Sequence, residues 1–247
     1  MCNQPQSISS LMQRIKKIGA ANAKPRTWED VQAERNQAAI EGSKQIDMMN
    51  NKTVMEKLFG ESGINKHFLS CSFDNFEVQL PEQQKALDYA KKYADCFTDY
   101  ASKGKGFMFS GTPGTGKNHL ASAIANQLMN QGKPVVLLSV MDILAKVKAT
   151  YGNNNMTEER LLKEFCRPEL LIIDEIGLQR GSQDELLWLT RIIDKRLYAD
   201  KPTSFITNLG SKELKELFGP RSFDRMKDAT AFFVPFHWMS HRGRVVA

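Results

Sequence analysis

The most constraining feature of the sequence is a glycine-rich segment between a short apolar run and an amphipathic stretch. It has the pattern GxxxxGK from Gly111 to Lys117, and the next residue is Asn118. Glycines let the backbone turn its N–H groups inward around an anion, and Lys117 adds a positive charge where a helix begins. The pattern predicts a strand, a loop that binds nucleotide phosphates, and a helix. The alternative is a glycine-rich turn with an incidental lysine.

The residues expected to contact the nucleotide form one continuous segment: Gly111, Thr112, Pro113, Gly114, Thr115, Gly116, Lys117, Asn118 and His119. A serine or threonine usually follows the lysine and binds Mg²⁺ through its hydroxyl group. The amide oxygen of Asn118 is also an acceptable ligand for a hard cation. We therefore expect ATP and Mg²⁺ to bind, while the efficiency of hydrolysis stays open. Although His119 belongs to this segment, we expect its side chain to pack or to face the surface and not to take part in catalysis.

The composition of the chain limits its class. Its 247 residues are 41% hydrophobic and 25% charged, which suits one α/β domain and a smaller appendage. No apolar run is long enough to cross a bilayer or to direct export, and the four cysteines are scattered. These features predict a cytoplasmic location, no membrane contact, and reduced thiols rather than a zinc site. A net charge of +6 is compatible with a polyanionic partner.

From Gly106 onward, apolar runs alternate with amphipathic stretches, which predicts a parallel sheet covered by helices on both faces. The predicted strands are 106–110, 134–140, 169–174, 203–207 and 231–236, and the predicted helices are 83–100, 117–130, 141–151, 158–165, 183–198 and 212–218. Residues 1–65 are polar and helical, so we place the domain boundary there, with 66–247 as the second domain. The aromatic segment 72–76 either packs at the edge of a nucleotide site or belongs to the core.

Two carboxylates end the third predicted strand. Asp174 and Glu175 follow a run of four apolar residues. In a nucleoside triphosphatase, the first acid holds the metal ion with Asn118, and the second deprotonates the attacking water. An Asp-Glu pair at the end of a strand is by itself weak evidence for a metal and catalytic site. Here it follows a phosphate-binding loop with one strand between them, which makes the evidence strong. Asn208 ends the fourth predicted strand, where it either senses the γ-phosphate or forms a turn.

Arginines near the C-terminal end are candidates to complete such a site. Arg225 follows the helix predicted at 212–218, and Arg242 lies near the last residue. An arginine supplied by a neighbouring subunit accelerates phosphoryl transfer strongly. The alternative for each is an ordinary surface ion pair.

Residues 1–65 contain two helical patterns. Leu11 and Ile15 recur at helical spacing beside Arg14, and a second pattern begins at Thr27, just before Trp28. This segment is either a small tail that docks on the main domain or an arm that binds helices of another protein.

Together, these motifs resemble the Walker A, Walker B, sensor 1 and arginine-finger elements of AAA+ ATPases. More narrowly, the chain is similar along nearly its full length to the DnaC-type replicative helicase loaders. The segments that carry this likeness are 11–14, 71–76, 109–121 with its unusual Asn118, 171–177, 201–203, 224–226 and 242–245. The resemblance implies an AAA+ P-loop domain with a five-stranded parallel sheet. The short stretch after the last predicted strand leaves no room for a C-terminal lid domain.

The resemblance also implies a function. It implies an ATPase, weak without partners, that binds the hexameric replicative helicase and helps deposit it on single-stranded DNA. It assigns Arg225 as the finger that acts on a neighbouring subunit and Arg242 as sensor 2, and it implies self-association around the DNA or the helicase. The implied contacts are Leu11, Arg14, Ile15 and Trp28 to the helicase, and Lys148, Tyr151 and Ser182 to single-stranded DNA. Asp184 stands where the family tends to have an aromatic residue, which weakens the expectation of DNA contact nearby.

Two alternatives stay open. A transposition regulator of the IstB type has a closely similar ATPase domain and binds duplex DNA and a transposase; residues 11–14 and Asn118 favour the loader. A binding module gated by nucleotide, without turnover, is the other alternative if Asn118 prevents hydrolysis.

Overall fold

The structure is a computed structural model that describes residues 27–59, 69–151, 157–178 and 182–241. The chain divides into two compact units, Met1–Ile46 and Asp47–Ala247. The boundary at residue 65 that the sequence suggests stays a prediction. Among the described residues, no helix has an apolar stretch long enough to cross a bilayer.

The first described helix, α1, spans Trp28–Phe59. It begins after Thr27, whose hydroxyl accepts a hydrogen bond of 3.2 Å from the N–H of Asp30. The Asp30 carboxylate in return accepts a bond of 2.9 Å from the N–H of Thr27. This reciprocal cap satisfies two amides at the helix start. The helix predicted from Thr27 onward is therefore confirmed.

The second unit alternates strands and helices. In chain order, its elements are α2 (Pro81–Asp95), α3 (Phe97–Ala101), β1 (Gly106–Gly111), α4 (Lys117–Asn130), β2 (Val135–Ser139), α5 (Val140–Lys148), α6 (Glu158–Phe165), β3 (Leu170–Ile176), α7 (Gln183–Leu197), β4 (Thr203–Thr207), α8 (Ser211–Asp228) and β5 (Thr230–Phe236). The five strands form one sheet in the order β2-β3-β4-β1-β5, and all neighbours run parallel. The predicted five-stranded parallel sheet is confirmed.

The core lies on both faces of this sheet. One cluster includes Ile173, Trp188 and Phe205, and the other includes Phe107 and Phe109. Strands β1 and β4 are buried at every residue, as expected for inner parallel strands that are covered twice. The carboxyl ends of all five strands meet at one edge, which is where ligands bind in such sheets.

Two helices differ most from the sequence prediction. The helix predicted at 83–100 is interrupted at Cys96, which separates α2 from α3. Helix α8 extends to Asp228, well past the predicted end at residue 218. It is kinked at Gly219, with φ 76° and ψ 162°, and resumes at Pro220, because proline is well suited to the first turn of a helix. Arg225 therefore lies inside α8 and not in a loop after a helix.

Candidate nucleotide-binding site

The glycine-rich loop lies between β1 and α4, at the carboxyl edge of the sheet, and forms one wall of a cleft of about 420 Å³. The loop conformation requires glycine at Gly116, whose φ is +91°. A Cβ atom there would come within 2.7 Å of the Phe76 ring. Because an L side chain at that position would meet both backbone strain and this ring, the close approach of Phe76 depends on glycine.

Lys117 ends the GxxxxGK pattern and is the first residue of α4. Its side chain is buried, and its ammonium group donates hydrogen bonds of 2.8 Å to the main-chain oxygens of Gly111 and Thr112. The positive charge is therefore held beside the backbone amides of the loop. An ammonium group and a row of backbone N–H groups at the start of a helix form a site for anions.

Asp174 is the buried acid of the cleft. One of its oxygens accepts a hydrogen bond of 2.5 Å from the side-chain amide of Asn118, and the other accepts one of 2.6 Å from the N–H of Glu175. The pKa of Asp174 is raised to about 6. Burial is the largest cause and the nearby charge of Glu175 adds to it, while both hydrogen bonds and the charge of Lys117 oppose the rise. The carboxylate is thus costly to ionise without a cation beside it.

Glu175 and Asn208 lie at the ends of β3 and β4, beside Asp174 in the same cleft. Both side chains are exposed to solvent. The backbone of Glu175 has a φ of 59°, unusual for a residue with a side chain. The hydroxyl of Thr207 donates a 2.6 Å bond to the main-chain oxygen of Ile176, which holds these two strand ends together.

The donor atoms of this cleft fit Mg²⁺. Asn118 and Asp174 are in contact, and amide and carboxylate oxygens are ligands for a hard cation. Within the described residues, no group of three or more His, Cys, Asp and Glu side chains is placed to hold a metal ion. Two protein ligands agree with the usual habit of Mg²⁺, which keeps several waters and shares the phosphates of its nucleotide.

The segment that follows β5 also lines the cleft, through Trp238 and His241. No sequence motif pointed to these two residues. The indole N–H of Trp238 donates a 3.0 Å bond to the main-chain oxygen of Thr115, and the backbone N–H of His241 donates a 2.8 Å bond to that of Gly114. The segment after β5 therefore supports the loop from outside. Pairing of β5 with β1 brings it there.

Another wall of the cleft comes from the residues before α2 and from the first turn of α2. Phe76 lines the cleft and meets the ring of His119 edge-on, with ring centroids 5.5 Å apart. His119 also lies 3.0 Å from the main-chain oxygen of Ser72 through its Nε2 atom. Across the cleft, the ring of His241 lies 2.9 Å from the carboxylate of Glu77. Other residues of this wall are Cys71, Asn75 and Gln83.

Seven described candidates do not line the cleft: Trp28, Gly111, Thr112, Lys148, Tyr151, Ser182 and Arg225. Ser182 caps α7 by accepting a 3.3 Å bond from the N–H of Glu185, and the Glu185 carboxylate lies 3.8 Å from the ammonium group of Lys148. The hydroxyl of Tyr151 donates to Asp184 at 2.9 Å and accepts from the Trp188 indole at 3.2 Å. These contacts place Lys148, Tyr151 and Ser182 around the start of α7.

The candidates for partner contact are only partly described. Trp28, at the start of α1, is 71% exposed. Leu11, Arg14, Ile15 and Arg242 lie outside the described residues.

A phosphate-binding loop after β1, acids at the end of β3 and a polar residue at the end of β4, in a sheet ordered β2-β3-β4-β1-β5, define an AAA+ ATP-binding protein. Comparison with known proteins agrees with this class. The model of the family described as "IstB-like ATP binding protein" matches residues 73–229. The crystal structure of the DnaC helicase loader shares the fold, with a TM-score of 0.63 and 22% identity over 70% of this chain and 99% of that chain.

Two relatives narrow the class further. The replicative helicase loader DnaC of Escherichia coli is 38% identical over 242 residues, which cover 97% of each chain. The loader DnaC of Buchnera aphidicola subsp. Acyrthosiphon pisum is 37% identical over 237 residues, 95% of each chain. This chain therefore belongs to the DnaC family of replicative helicase loaders, and its nucleotide-binding domain is of the IstB-like type.

Proposed function

We propose that this protein is an ATP-dependent loader that binds the hexameric replicative helicase and helps place it on single-stranded DNA. One observation carries the proposal: the phosphate-binding loop, both acids and Asn208 meet in a single cleft. The identity of 38% over 97% of the chain to a protein named replicative helicase loader supports it.

The chemistry proposed for the cleft is hydrolysis of ATP. The backbone amides of residues 111–119 bind the phosphates, and Lys117 neutralises charge on the β- and γ-phosphates. Asn118 and Asp174 would hold Mg²⁺, which when bound offsets the charge of the leaving phosphates. Glu175 takes a proton from the attacking water, and the amide of Asn208 orients that water.

We assign the two arginines to different nucleotides. Arg225 does not line the cleft of its own chain, so it acts as a finger on the nucleotide of a neighbouring subunit that assembles around the DNA or the helicase. Arg242 acts on the nucleotide of its own chain. The support for this assignment is the residue before it, His241, whose backbone N–H contacts Gly114 of the loop.

The DNA contact is proposed at the start of α7. The Tyr151 ring is 52% exposed while its hydroxyl is bonded to Asp184, so the ring face is available to stack on a base. The exposed ammonium group of Lys148 would approach a phosphate, and the hydroxyl of Ser182 would add a hydrogen bond.

A binding experiment with the full chain tests the loader function. The immobilised protein should retain the replicative helicase of the same cell with ATP, and a Leu11→Ala/Ile15→Ala variant should retain much less. Ile40→Ala, an exposed apolar position on α1, is the matched control and should bind as the wild type does. Failure of the wild-type protein to bind the helicase would contradict the proposal.

The IstB-like description of the matched family favours one second candidate, a transposition regulator that binds duplex DNA. A titration of fluorescent single-stranded and duplex DNA of equal length, with ATP and at fixed salt, separates the two. A loader prefers the single strand. A preference for the duplex, together with no retention of the helicase, would favour the transposition regulator.

A further inference from the structure

Asp194, near the end of α7, and Tyr198, just after it, hold the side chain of Arg225. We propose that Asp194 and Tyr198 are positioning residues that present the Arg225 guanidinium to the nucleotide of a neighbouring subunit. This inference rests on the proposed function, because it gives Arg225 its role between subunits. It adds that the finger is aligned by its own chain before assembly.

Three contacts fix the guanidinium. Its Nε atom lies 3.5 Å from a carboxylate oxygen of Asp194, and one terminal nitrogen donates a 3.3 Å hydrogen bond to the hydroxyl of Tyr198. The guanidinium carbon also lies 5.7 Å from the centre of the Tyr198 ring. Neither polar contact is made by the other terminal nitrogen, Nη1, and the Arg225 side chain is 31% exposed. One edge of the guanidinium is thus held by its own chain, and the other edge is available to a nucleotide of a neighbouring subunit.

The carboxylate that faces Arg225 has one oxygen shielded from solvent, while the Asp194 side chain as a whole is 27% exposed. Oxygen Oδ1 of Asp194 is buried and has no hydrogen-bond partner among the described residues, and this same atom faces Nε of Arg225. A buried, unpaired acceptor is unfavourable, so it draws the guanidinium toward α7.

Helix α7 is a rigid base for this arrangement. Arg196, which lies between the two positioning residues in sequence, is fully buried. Its guanidinium donates to the main-chain oxygens of Phe165 at 2.6 Å and Pro202 at 2.7 Å. These bonds fix the end of α7 to the last residue of α6 and to the residue before β4.

Helix α8 alone would align the arginine less well. Its helical dihedrals are broken at Gly219, and Arg225 lies in the part that resumes at Pro220. An arginine side chain also has many rotamers, and holding it in one conformation before assembly removes an entropic cost from the assembled state. Contacts to a second, anchored helix supply that restraint.

A mixed-subunit ATPase assay isolates the finger. Donor chains carry Glu175→Gln, so they bind ATP without hydrolysing it and keep Arg225. Acceptor chains carry Arg225→Ala, so they hydrolyse ATP only when a donor supplies the finger. Turnover is measured on the mixture with poly(dT) and the replicative helicase of the same cell.

Adding Asp194→Asn to the donor should lower turnover at least about tenfold, a small part of the roughly 10³–10⁵ that an arginine finger supplies. Tyr198→Phe should lower it less, because the ring remains. The KM for ATP should not change, since the acceptor cleft is intact. Asp194→Glu in the donor should restore part of the loss.

Two controls separate positioning from folding. Asp194→Asn placed in the acceptor, where no Arg225 remains to be positioned, should have no effect. Arg191→Ala in the donor removes another arginine of α7, which pairs with Glu158 at 2.8 Å, and should leave turnover as it is.

The outcomes are distinct. If the mixture without further substitutions is inactive while wild-type protein is active, the role of Arg225 between subunits fails and the inference fails with it. If that mixture is active but Asp194→Asn in the donor changes nothing, only the positioning inference is overturned. An equal loss from Asp194→Asn in donor and acceptor would assign Asp194 to the stability of the chain and would likewise overturn it.

Discussion

The side-chain amide of Asn118 donates a 2.5 Å hydrogen bond to Asp174 in the nucleotide cleft. In most phosphate-binding loops the residue after the lysine is a serine or threonine, whose hydroxyl is a metal ligand. Here the amide nitrogen faces the carboxylate, so the amide oxygen faces away from it. For Asn118 to offer its oxygen to Mg²⁺, this bond must break and the amide must turn.

Replacing Asn118 by threonine should increase the gain in ATP affinity that Mg²⁺ provides. A hydrogen bond to a charged group is worth about 1.5–3 kcal/mol. Removing the Asn118–Asp174 bond, which competes with Mg²⁺, should therefore raise that gain by at least about tenfold. The measurement is the Kd of a fluorescent ATP analogue with Mg²⁺ and with EDTA. Asn130→Thr, at the exposed end of the same helix, is the matched control. If the ratio of the two Kd values is the same in Asn118→Thr and in the wild type, the hydrogen bond from Asn118 to Asp174 does not compete with Mg²⁺.

Stability should depend on pH through Asp174. The pKa of this acid rises on folding from 3.8 to about 6, so the folded state binds more protons than the unfolded state between these values. The free energy of unfolding therefore falls as the pH rises through this window, and stays lower above it. A rise of about two pKa units corresponds to about 3 kcal/mol.

Asp174→Asn should therefore unfold at a higher temperature than wild type at pH 7, without nucleotide and Mg²⁺, and at nearly the same temperature at pH 4. Thermal unfolding followed by circular dichroism measures this difference. Asp88→Asn, on the exposed side of α2, serves as the control and should show no such pattern. A wild-type protein that is equally or more stable at pH 7 than the Asp174→Asn variant would refute the assignment.

Glu175→Gln should separate nucleotide binding from hydrolysis. The amide keeps the size of the side chain but cannot accept the proton of the attacking water, and a general base contributes roughly 10²–10⁴-fold to the rate. Single-turnover hydrolysis should fall by about that factor, with the Kd for ATP changed little. Glu169→Gln, just before the opposite end of β3, is the control. If the wild-type chain shows no turnover for Glu175→Gln to remove, the protein is a binding module gated by nucleotide.

Trp238→Phe should weaken ATP binding by about two- to tenfold, the range that corresponds to one neutral hydrogen bond. The substitution removes the indole N–H that donates to Thr115 and keeps an aromatic ring in the cleft. Isothermal titration with ATP and Mg²⁺ gives the affinity. Met239→Ala changes the neighbouring residue, which is 84% exposed, and should bind ATP as the wild type does. Equal affinities for Trp238→Phe and wild type would show that this bond does not support the loop.

The sequence alone determined the parts of the fold that depend on neighbouring residues. The GxxxxGK pattern between an apolar run and a helical pattern predicted the start of α4 at Lys117. The apolar run before Asp174 predicted β3, which ends two residues later than expected, at Ile176. Local spacing carries this information because strand and helix periodicity, glycine conformations and helix caps are all set within a few residues. Alternation of strands and helices then implied that these ends share one edge of a parallel sheet.

Only the tertiary structure decided which distant residues complete the cleft and how the candidates are held. Trp238 reaches Thr115 across more than a hundred residues because β5 pairs with β1, and no local pattern encodes that contact. The sequence predicted a helix that ends at residue 218, yet α8 continues through buried Phe223 and Met226. This continuation brings Arg225 against Asp194 and Tyr198. The physical reason is that side-chain contacts between distant elements depend on sheet order, helix anchoring and burial, which arise only when the whole chain is folded.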